Sequence, residues 1–581
     1  MNYLLYLKSS SSRWVPLFAL LLIVSVWPLV MLIFGTLRSA PPGFDALWNL
    51  QNWRETFIEA RTLKAITDSL WVAFTSTLGA TLIAAGLAFL SERSDLPFKR
   101  GITFAMLIAF ATPALFYAMA YGFLANPYSG QLNIFFSWLF GEGHLLLNIE
   151  TYFCVVLVMM LKKTAIIYLF LIAPFRNLDP SHDEASLLCG ATPVQTFFKI
   201  NLPSLAPALT VAVLIGIVGG LQAYDMVLIL GGPIGLDMIS TRIIGYINSG
   251  APADFGRASV LSLSIVVILI LLCLMQKYIL GKRSYVSVGG KRGAPRLTRL
   301  KSFRWPLFVV SSIALMFIAV LPVGSVILAS VQPFPGVYEN LTLDHYRNVL
   351  ALPRVWDAIG VTFVLSLVVG VVAMLLALFI AQSGNKIRGW KNTLVRFLTL
   401  VPLAMPGIVI ALAILWGFVS LPGLRELFGS IWLLIAAMTI CSLPIAIQIS
   451  NAAISQLSPD LTEAARISGA SPQRAFFDVL LRLLAPAFFA GWFMVAVMVS
   501  GNLEVPMLLK SPGLSPVAMV VFNINAAGDF SGAAALLVIV LAAKLLVCLL
   551  GLGIHYALKW NVKHRAAKHA AEFHLLQGQT S

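Results

Sequence analysis

The chain has 581 residues, 59% of them hydrophobic and only 11% charged, with a formal net charge of +16. Soluble domains carry about a quarter charged residues, so a soluble enzyme or binding module is excluded and the long uncharged runs mark an all-α polytopic membrane protein. The five cysteines lie far apart, and four of them (Cys154, Cys273, Cys441 and Cys548) fall in apolar runs. None has CxxC or metal-ligand spacing, so neither a disulfide framework nor a zinc site is indicated.

Twelve apolar segments are near or above the roughly 20 residues needed to cross a bilayer. The first six lie at 14–37, 66–90, 102–125, 152–174, 205–230 and 258–280. The second six lie at 305–331, 357–381, 393–419, 429–450, 484–509 and 531–557. The first run is too long for a signal-peptide core and lacks a convincing cleavage site, so it reads as a retained span. Between spans, residues 40–65 and 333–356 mix charge with Trp48, Trp53, Tyr338 and Tyr346, and predict short interfacial helices. Residues 131–147 predict an amphipathic segment lying on the outer surface.

Lys and Arg set the orientation. Residues 281–304 carry Lys282, Arg283, Lys291, Arg292, Arg296, Arg299, Lys301 and Arg304 and no acid, whereas the loop near 126–150 has no Lys or Arg. The basic segment is therefore a cytoplasmic linker between two halves, and both termini are expected in the cytoplasm. A nucleic-acid-binding arm is the alternative; beside a membrane the positive-inside reading prevails, and no nucleic acid is expected as a partner. The expected organisation is a first repeat at 1–280, the linker at 281–304, a second repeat at 305–557 and a cytoplasmic tail at 558–581.

One stretch occurs twice. Residues 184–203 begin Glu184-Ala185-Ser186, reach Gly190 after three more, and end Ile200-Asn201-Leu202-Pro203. Residues 463–482 begin Glu463-Ala464-Ala465, reach Gly469, and end Val479-Leu480-Leu481-Arg482, so 184 and 463 are separated by an offset of 279. Thr192-Pro193 and Ser471-Pro472 each read as an N-cap with proline at the first helical position. Gly190 and Gly469 permit a sharp turn that a Cβ resists. Phe197-Phe198 and Phe476-Phe477 then end a short helix suited to a groove on a partner. The bland alternative, an amphipathic connector, is weakened by two copies in register. The same offset relates Asp225 and Pro233 to Glu504 and Pro512, and Trp14 and Pro28 of the first span resemble Trp305 and Pro322 of the seventh. The halves are thus parallel repeats about a pseudo-twofold axis along the membrane normal.

The doubled stretch resembles the EAA loop of permease subunits of binding-protein-dependent ABC importers, in which Glu-Ala-Ala, three residues, Gly, nine residues and Ile-x-Leu-Pro recur. Ser186 departs from that pattern in the first copy, and Val479 and Arg482 in the second. Two copies in one chain resemble the fused permeases of the ferric-iron type. The resemblance implies the type I importer permease fold, two six-helix repeats, in a bacterial inner membrane. It also implies that Glu184, Ala185, Gly190, Pro193, Phe197, Phe198, Glu463, Ala464, Gly469, Pro472, Phe476 and Phe477 couple the spans to an ATP-binding cassette subunit, present in two copies. A solute-binding protein would dock on the outer loops. Ferric iron is the first expectation for the solute; thiamine, aminoalkylphosphonate and other small solutes stay open.

No Gly-x-x-x-x-Gly-Lys-Ser/Thr phosphate loop occurs, so ATP and Mg belong to the partner. The scattered histidines and the lack of a nucleophile motif leave a transport subunit without an active site or bound cofactor. Lys162 and Lys163 interrupt the fourth span, where a lysine costs roughly 2.5–3.5 kcal/mol on insertion scales. One could line the pathway while the other snorkels, or both could be tucked against acidic or carbonyl partners. Their equivalents, Cys441 and Ser442, precede Pro444, which predicts a broken or distorted helix in both halves. Asp225 and Glu504 are candidates for a pathway or gate near its outer end. An ion-coupled secondary transporter using these acids as proton sites is the competing class, and it leaves the two EAA loops unexplained.

Overall fold

The computed structural model describes residues 15–141, 147–248, 252–280, 297–384, 387, 389–455, 467, 469, 471, 481–509 and 513–547. Within them, ten helices are long and apolar enough to cross a membrane, and twelve spans result if each of two bent pairs counts once. The first six are Val15–Thr36, Ala60–Arg93, the pair Lys99–Ala111 and Ala114–Ala125, Tyr152–Arg176, Phe197–Leu221 and Phe255–Gln276. The second six are Lys301–Ala329, Pro353–Gly384, the pair Trp390–Ala404 and Gly407–Ser420, Ile431–Ile454, Leu483–Ser500 and Phe530–Val547. The twelve predicted segments correspond to these one for one.

Each half is built on three mutually packed helices. In the first they are Ala60–Arg93, Tyr152–Arg176 and Leu202–Leu221; in the second, Pro353–Gly384, Ile431–Ser455 and Leu481–Ser500. Small residues let the first trio close up: a Cβ on Gly220 would fall 2.8 Å from the Ala73 Cα, and one on Gly216 would fall 2.4 Å from the Thr77 methyl. Close approach of this kind drives helix association where lipid removes the hydrophobic gradient.

The first span of each half lies on the other half. Trp27–Thr36 packs along Gly407–Ser420, and Leu321–Ala329 packs along Ala114–Ala125. The fit is reciprocal at two tryptophans: an added Cβ on Gly35 would meet the Trp416 indole at 2.4 Å, and one on Gly417 would meet Trp27 at 2.2 Å. Hydrogen bonds follow the same crossing. Ser25 Oγ donates to the Leu398 carbonyl (2.8 Å), and Tyr121 Oη donates to that of Phe317 (2.6 Å).

Prolines shape the spans in two ways. Pro28, Pro203 and Pro322 each stand two residues past a π-helical turn, at Leu22–Val26, Phe197–Asn201 and Met316–Val320. Proline has no N–H and collides with the carbonyl four residues back, and a wider turn relieves both problems. Pro113 and Pro406 act differently: each is the N-cap of a new helix, and the chain bends there by 103° and 102°. The expected distortion beside Lys162 and Pro444 is absent, since Tyr152–Arg176 and Ile431–Ser455 run through as helices. The breaks fall one span earlier, where proline caps a helix instead of interrupting one. Two predicted spans also end sooner than expected, at Leu221 and Ser500.

The connecting segments contain the helices Gln51–Ile58, Gln131–Phe140 and Asp344–Leu350. Gln131–Phe140 exposes Phe135, Trp138, Leu139 and Phe140, while Gln131 is buried and donates to the Ser325 carbonyl of the other half (3.1 Å).

Candidate functional site

The first motif loop is a compact device. Asp179 caps the helix Pro180–Leu188 by accepting from the Ser181 amide (2.9 Å), and that bond holds its carboxyl below the usual range. Glu184 and Ala185 lie on the exposed side of this helix, and Leu188 is 89% exposed. Gly190 then turns the chain at φ +82°, a left-handed conformation that L side chains resist.

The next turn starts as a capping box. The Gln195 amide donates to Thr192 Oγ1 (3.3 Å), and the Gln195 side chain accepts from the Thr192 amide (2.9 Å). Pro193–Thr196 leads directly through the π turn into Leu202–Leu221, so the phenylalanine pair opens a span and does not end a free-standing helix. Phe197 turns inward onto Phe89 (centroids 5.3 Å apart), whereas Phe198 is 61% exposed. Ser186, which replaces the family's alanine, shares a hydrogen bond with Thr196 (2.9 Å) and so ties the loop's two helices together.

A turn that sequence patterns did not single out anchors this loop. Arg93, 2% exposed, donates to the Leu178 carbonyl (3.1 Å) and to the Asp183 carboxylate. Arg176 makes a two-pronged pair with Glu92 (2.8 and 3.1 Å). The same turn holds the end of the interrepeat linker. Ser94 and Thr298 form a parallel bridge, the Thr298 amide donates to the Arg93 carbonyl (2.8 Å), and the Leu300 amide donates to Asp95 (2.9 Å). The available signal was charge just past the ends of the second and fourth predicted spans.

Of the second loop, Gly469 adopts φ +87°, matching Gly190, and Ile467 is 87% exposed. Glu463, Ala464, Pro472, Phe476 and Phe477 lie outside the described residues, as do Pro512 and most of the linker.

Lys162 and Lys163 both have partners, whereas Lys544 Nζ, buried in the span Phe530–Val547, has none among the described residues. Lys162 Nζ donates to the carbonyls of Ala109 (2.6 Å) and Thr112 and lies over the Tyr117 ring (5.7 Å). It thus stabilises the carbonyl end of Lys99–Ala111 at the first helix break, where the helix dipole is negative. Lys163 Nζ donates to Ser76 (2.7 Å) and Thr77 (3.3 Å) on Ala60–Arg93. The second half secures its own break from the opposite end and with the opposite charge. The amides of Gly407 and Ile408, which open Gly407–Ser420, donate to the Glu504 carboxylate. Asp225, its counterpart, is 7% exposed, and its Oδ1 has no hydrogen-bond partner. Glu504 therefore sits against the second helix break, and Asp225 is buried within electrostatic reach of it.

On the face opposite the motif loop, Glu59 accepts from Arg242, Arg257 and Tyr246 Oη (2.6 Å), and both guanidiniums lie over the Tyr246 ring at 4.6 and 4.5 Å. An open cavity of about 780 Å3 adjoins this cluster, lined by residues that include Arg54, Glu55, Ile58 and Arg257. Sequence reading placed a docking surface on residues 40–65, which hold Glu59, but did not single out Arg242, Tyr246 or Arg257.

Two parallel repeats, a buried seam between them and a glycine-turned loop in each define a transport subunit, not a catalyst. Residues 78–285 and 373–564 both match the family described as binding-protein-dependent transport system inner membrane component. The chain belongs to this family and is the permease subunit of an ABC importer, a multi-pass inner-membrane protein; the competing secondary-transporter reading falls. It is similar to the ferric transport system permease protein FbpB of Actinobacillus pleuropneumoniae, 29% identical over 56% of this chain and 48% of that protein, so the match spans about half of that relative's length. The probable ABC transporter permease protein y4fN of Sinorhizobium fredii is 26% identical over 83% of this chain and 82% of its own. The Fe(3+)-transport system permease protein FbpB 2 of Haemophilus influenzae is 22% identical over 82% of this chain and 87% of its own.

Proposed function

We propose that this permease imports ferric iron. A loaded binding protein docks on the face carrying Glu59, Arg242 and Arg257, and the ion passes between the halves to the cytoplasm. Two ATPase subunits on the cytoplasmic side engage the two motif loops, and both termini and the linker lie on that side. The observation that carries the coupling role is the loop turned at Gly190. It presents Leu188 (89% exposed) and Phe198 (61% exposed) to a partner while Arg93 fixes its base. The basic linker, joined to that base through Thr298, supports the cytoplasmic placement. The iron reading rests on the two ferric-transport relatives.

The experiment is uptake into proteoliposomes containing the permease and its ATPase, with the neighbouring binding protein outside. Radioactive ferric iron should accumulate only with ATP inside. Uptake of an aminoalkylphosphonate or thiamine instead of iron would overturn the substrate, and failure of any ATPase to co-purify with the chain would overturn the coupling role.

A further inference from the structure

At the seam between the halves, three oxygen-bearing side chains converge. Tyr224 and Asp225 follow the end of Leu202–Leu221, and Glu504 opens Glu504–Leu508. Tyr224 is 1% exposed and Asp225 7%, and neither the Tyr224 hydroxyl nor Asp225 Oδ1 has a hydrogen-bond partner. The two carboxylates lie within electrostatic reach of each other, and the Tyr224 hydroxyl lies within reach of both. The cluster belongs to both halves. Beside it, Gln222 Nε2 donates to the Leu403 carbonyl across the seam (3.2 Å), and a Cβ on Gly501 would meet Pro113 of the first half at 2.8 Å.

A buried carboxylate needs a cation or a full set of hydrogen-bond donors. Glu504 has donors, the amides of Gly407 and Ile408. Asp225 Oδ1 has none, and among the described residues no Lys or Arg forms an ion pair with either acid. Two buried carboxyl groups are therefore held near each other, one with an unfilled acceptor, and an unpartnered phenol lies within electrostatic reach of both.

We propose that Tyr224, Asp225 and Glu504 form a transient site for a multiply charged, oxygen-seeking metal ion on its way between the halves. That the ion is the transported cargo rests on the ferric-iron reading above. Carboxylate and phenol oxygens are hard donors and suit such an ion. Their small number suits passage: a dedicated cage for a hard cation uses six or more oxygens, whereas three side chains leave the remaining positions to water. A conducting site must bind well enough to admit the ion and weakly enough to release it. The two acids have different jobs. Helix amides fix Glu504 in place, while Asp225, with its free oxygen, turns toward the ion.

The test uses the full permease–ATPase complex in nanodiscs, titrated with Tb3+, whose emission is sensitised by nearby aromatic rings. One saturable component of the wild-type titration should weaken about tenfold or more in Asp225→Asn and disappear in the Asp225→Asn/Glu504→Gln double variant. Tyr224→Phe should lower affinity less than Asp225→Asn, because the phenol is the weaker donor. Asn and Gln keep the shape, and Gln keeps an acceptor for the Gly407 amide, so an unchanged gel-filtration profile verifies folding. Identical titrations of wild type and a folded double variant would overturn the site and leave a proton shared between the acids. Iron uptake by the wild type separates the two readings. If iron is imported while the titrations are identical, the site falls and the cargo reading stands; if the titrations differ but no iron is imported, the cargo reading falls and the metal site stands.

Discussion

Lys162 donates to the carbonyl of Ala109 at 2.6 Å, from the middle of one span to the broken end of another. The last four carbonyls of a helix lack internal partners, and in a membrane core no bulk water replaces them. The lysine charge and the helix end thus offset each other's cost. Lys162→Met should destabilise the detergent-solubilised protein by about 2 kcal/mol, the scale of a hydrogen bond to a charged group. Lys163→Met should cost less, because Ser76 can bond back to the Val72 carbonyl. Thermal gel filtration of both variants measures this. Solute uptake should fall in proportion to folded protein; a loss of uptake in Lys162→Met without a loss of stability would assign it to the pathway instead.

The twelve spans, the repeat offset of 279 and the glycine turns were legible because each rests on local pattern: apolar length, charge placement and one residue that tolerates positive φ. The seam was not. Nothing in the run Ala111-Thr112-Pro113 distinguishes a proline that caps a new helix from one that kinks an old one, so the break was expected beside Pro444 instead. Partners distant in sequence were equally hidden. Arg93 and Asp183 are 90 residues apart, and only the packing of Ala60–Arg93 on Tyr152–Arg176 brings them together. The offset did pair Asp225 with Glu504, but it assigned them equal surroundings, and the structure gives helix amides to one and an unfilled acceptor to the other.

Asp183→Asn tests the anchor of the first loop. Arg93 is almost fully buried and would lose Asp183, its only charged partner among the described residues, a change that costs about 3–5 kcal/mol in a buried pair. Arg93 keeps the Leu178 carbonyl, so the expected effect lies at the low end and is local. Stimulation of the partner ATPase by loaded binding protein should drop several-fold with membrane insertion unchanged. Full stimulation would show that the loop needs no fixed base.

Gly190 and Gly469 share the left-handed turn, at φ +82° and +87°. Alanine there costs roughly 1–2 kcal/mol, and proline, fixed near −65°, cannot adopt the turn. Gly469→Pro should abolish uptake in protein that still inserts, and Gly190→Ala should reduce it partially. Normal uptake by Gly469→Pro would remove the second loop from the coupling mechanism.

The crossed first spans make the strongest claim on stability. Gly35 faces Trp416, and Gly417 faces Trp27, so each half closes against the other through a ring lying on a bare backbone. Trp416 also donates from its indole to Ser259 (2.8 Å), on the last span of the first half, and cannot simply swing aside. Trp27 makes no such bond among the described residues and packs edge-on against Phe418 (centroids 5.9 Å apart). Overpacking of a filled core costs about 1–3 kcal/mol, more where the neighbour is held. Gly35→Val should therefore destabilise the protein more than Gly417→Val, although the gaps to be filled are alike. A chain cut within residues 281–296 and expressed as two pieces makes the comparison direct. The unmodified pieces should co-purify through the crossed spans, Gly417→Val should weaken that association, and Gly35→Val should abolish it. Equal losses from both substitutions would mean that the Ser259 bond does not restrain Trp416. Co-purification undiminished by either would mean that the crossed first spans do not hold the halves together.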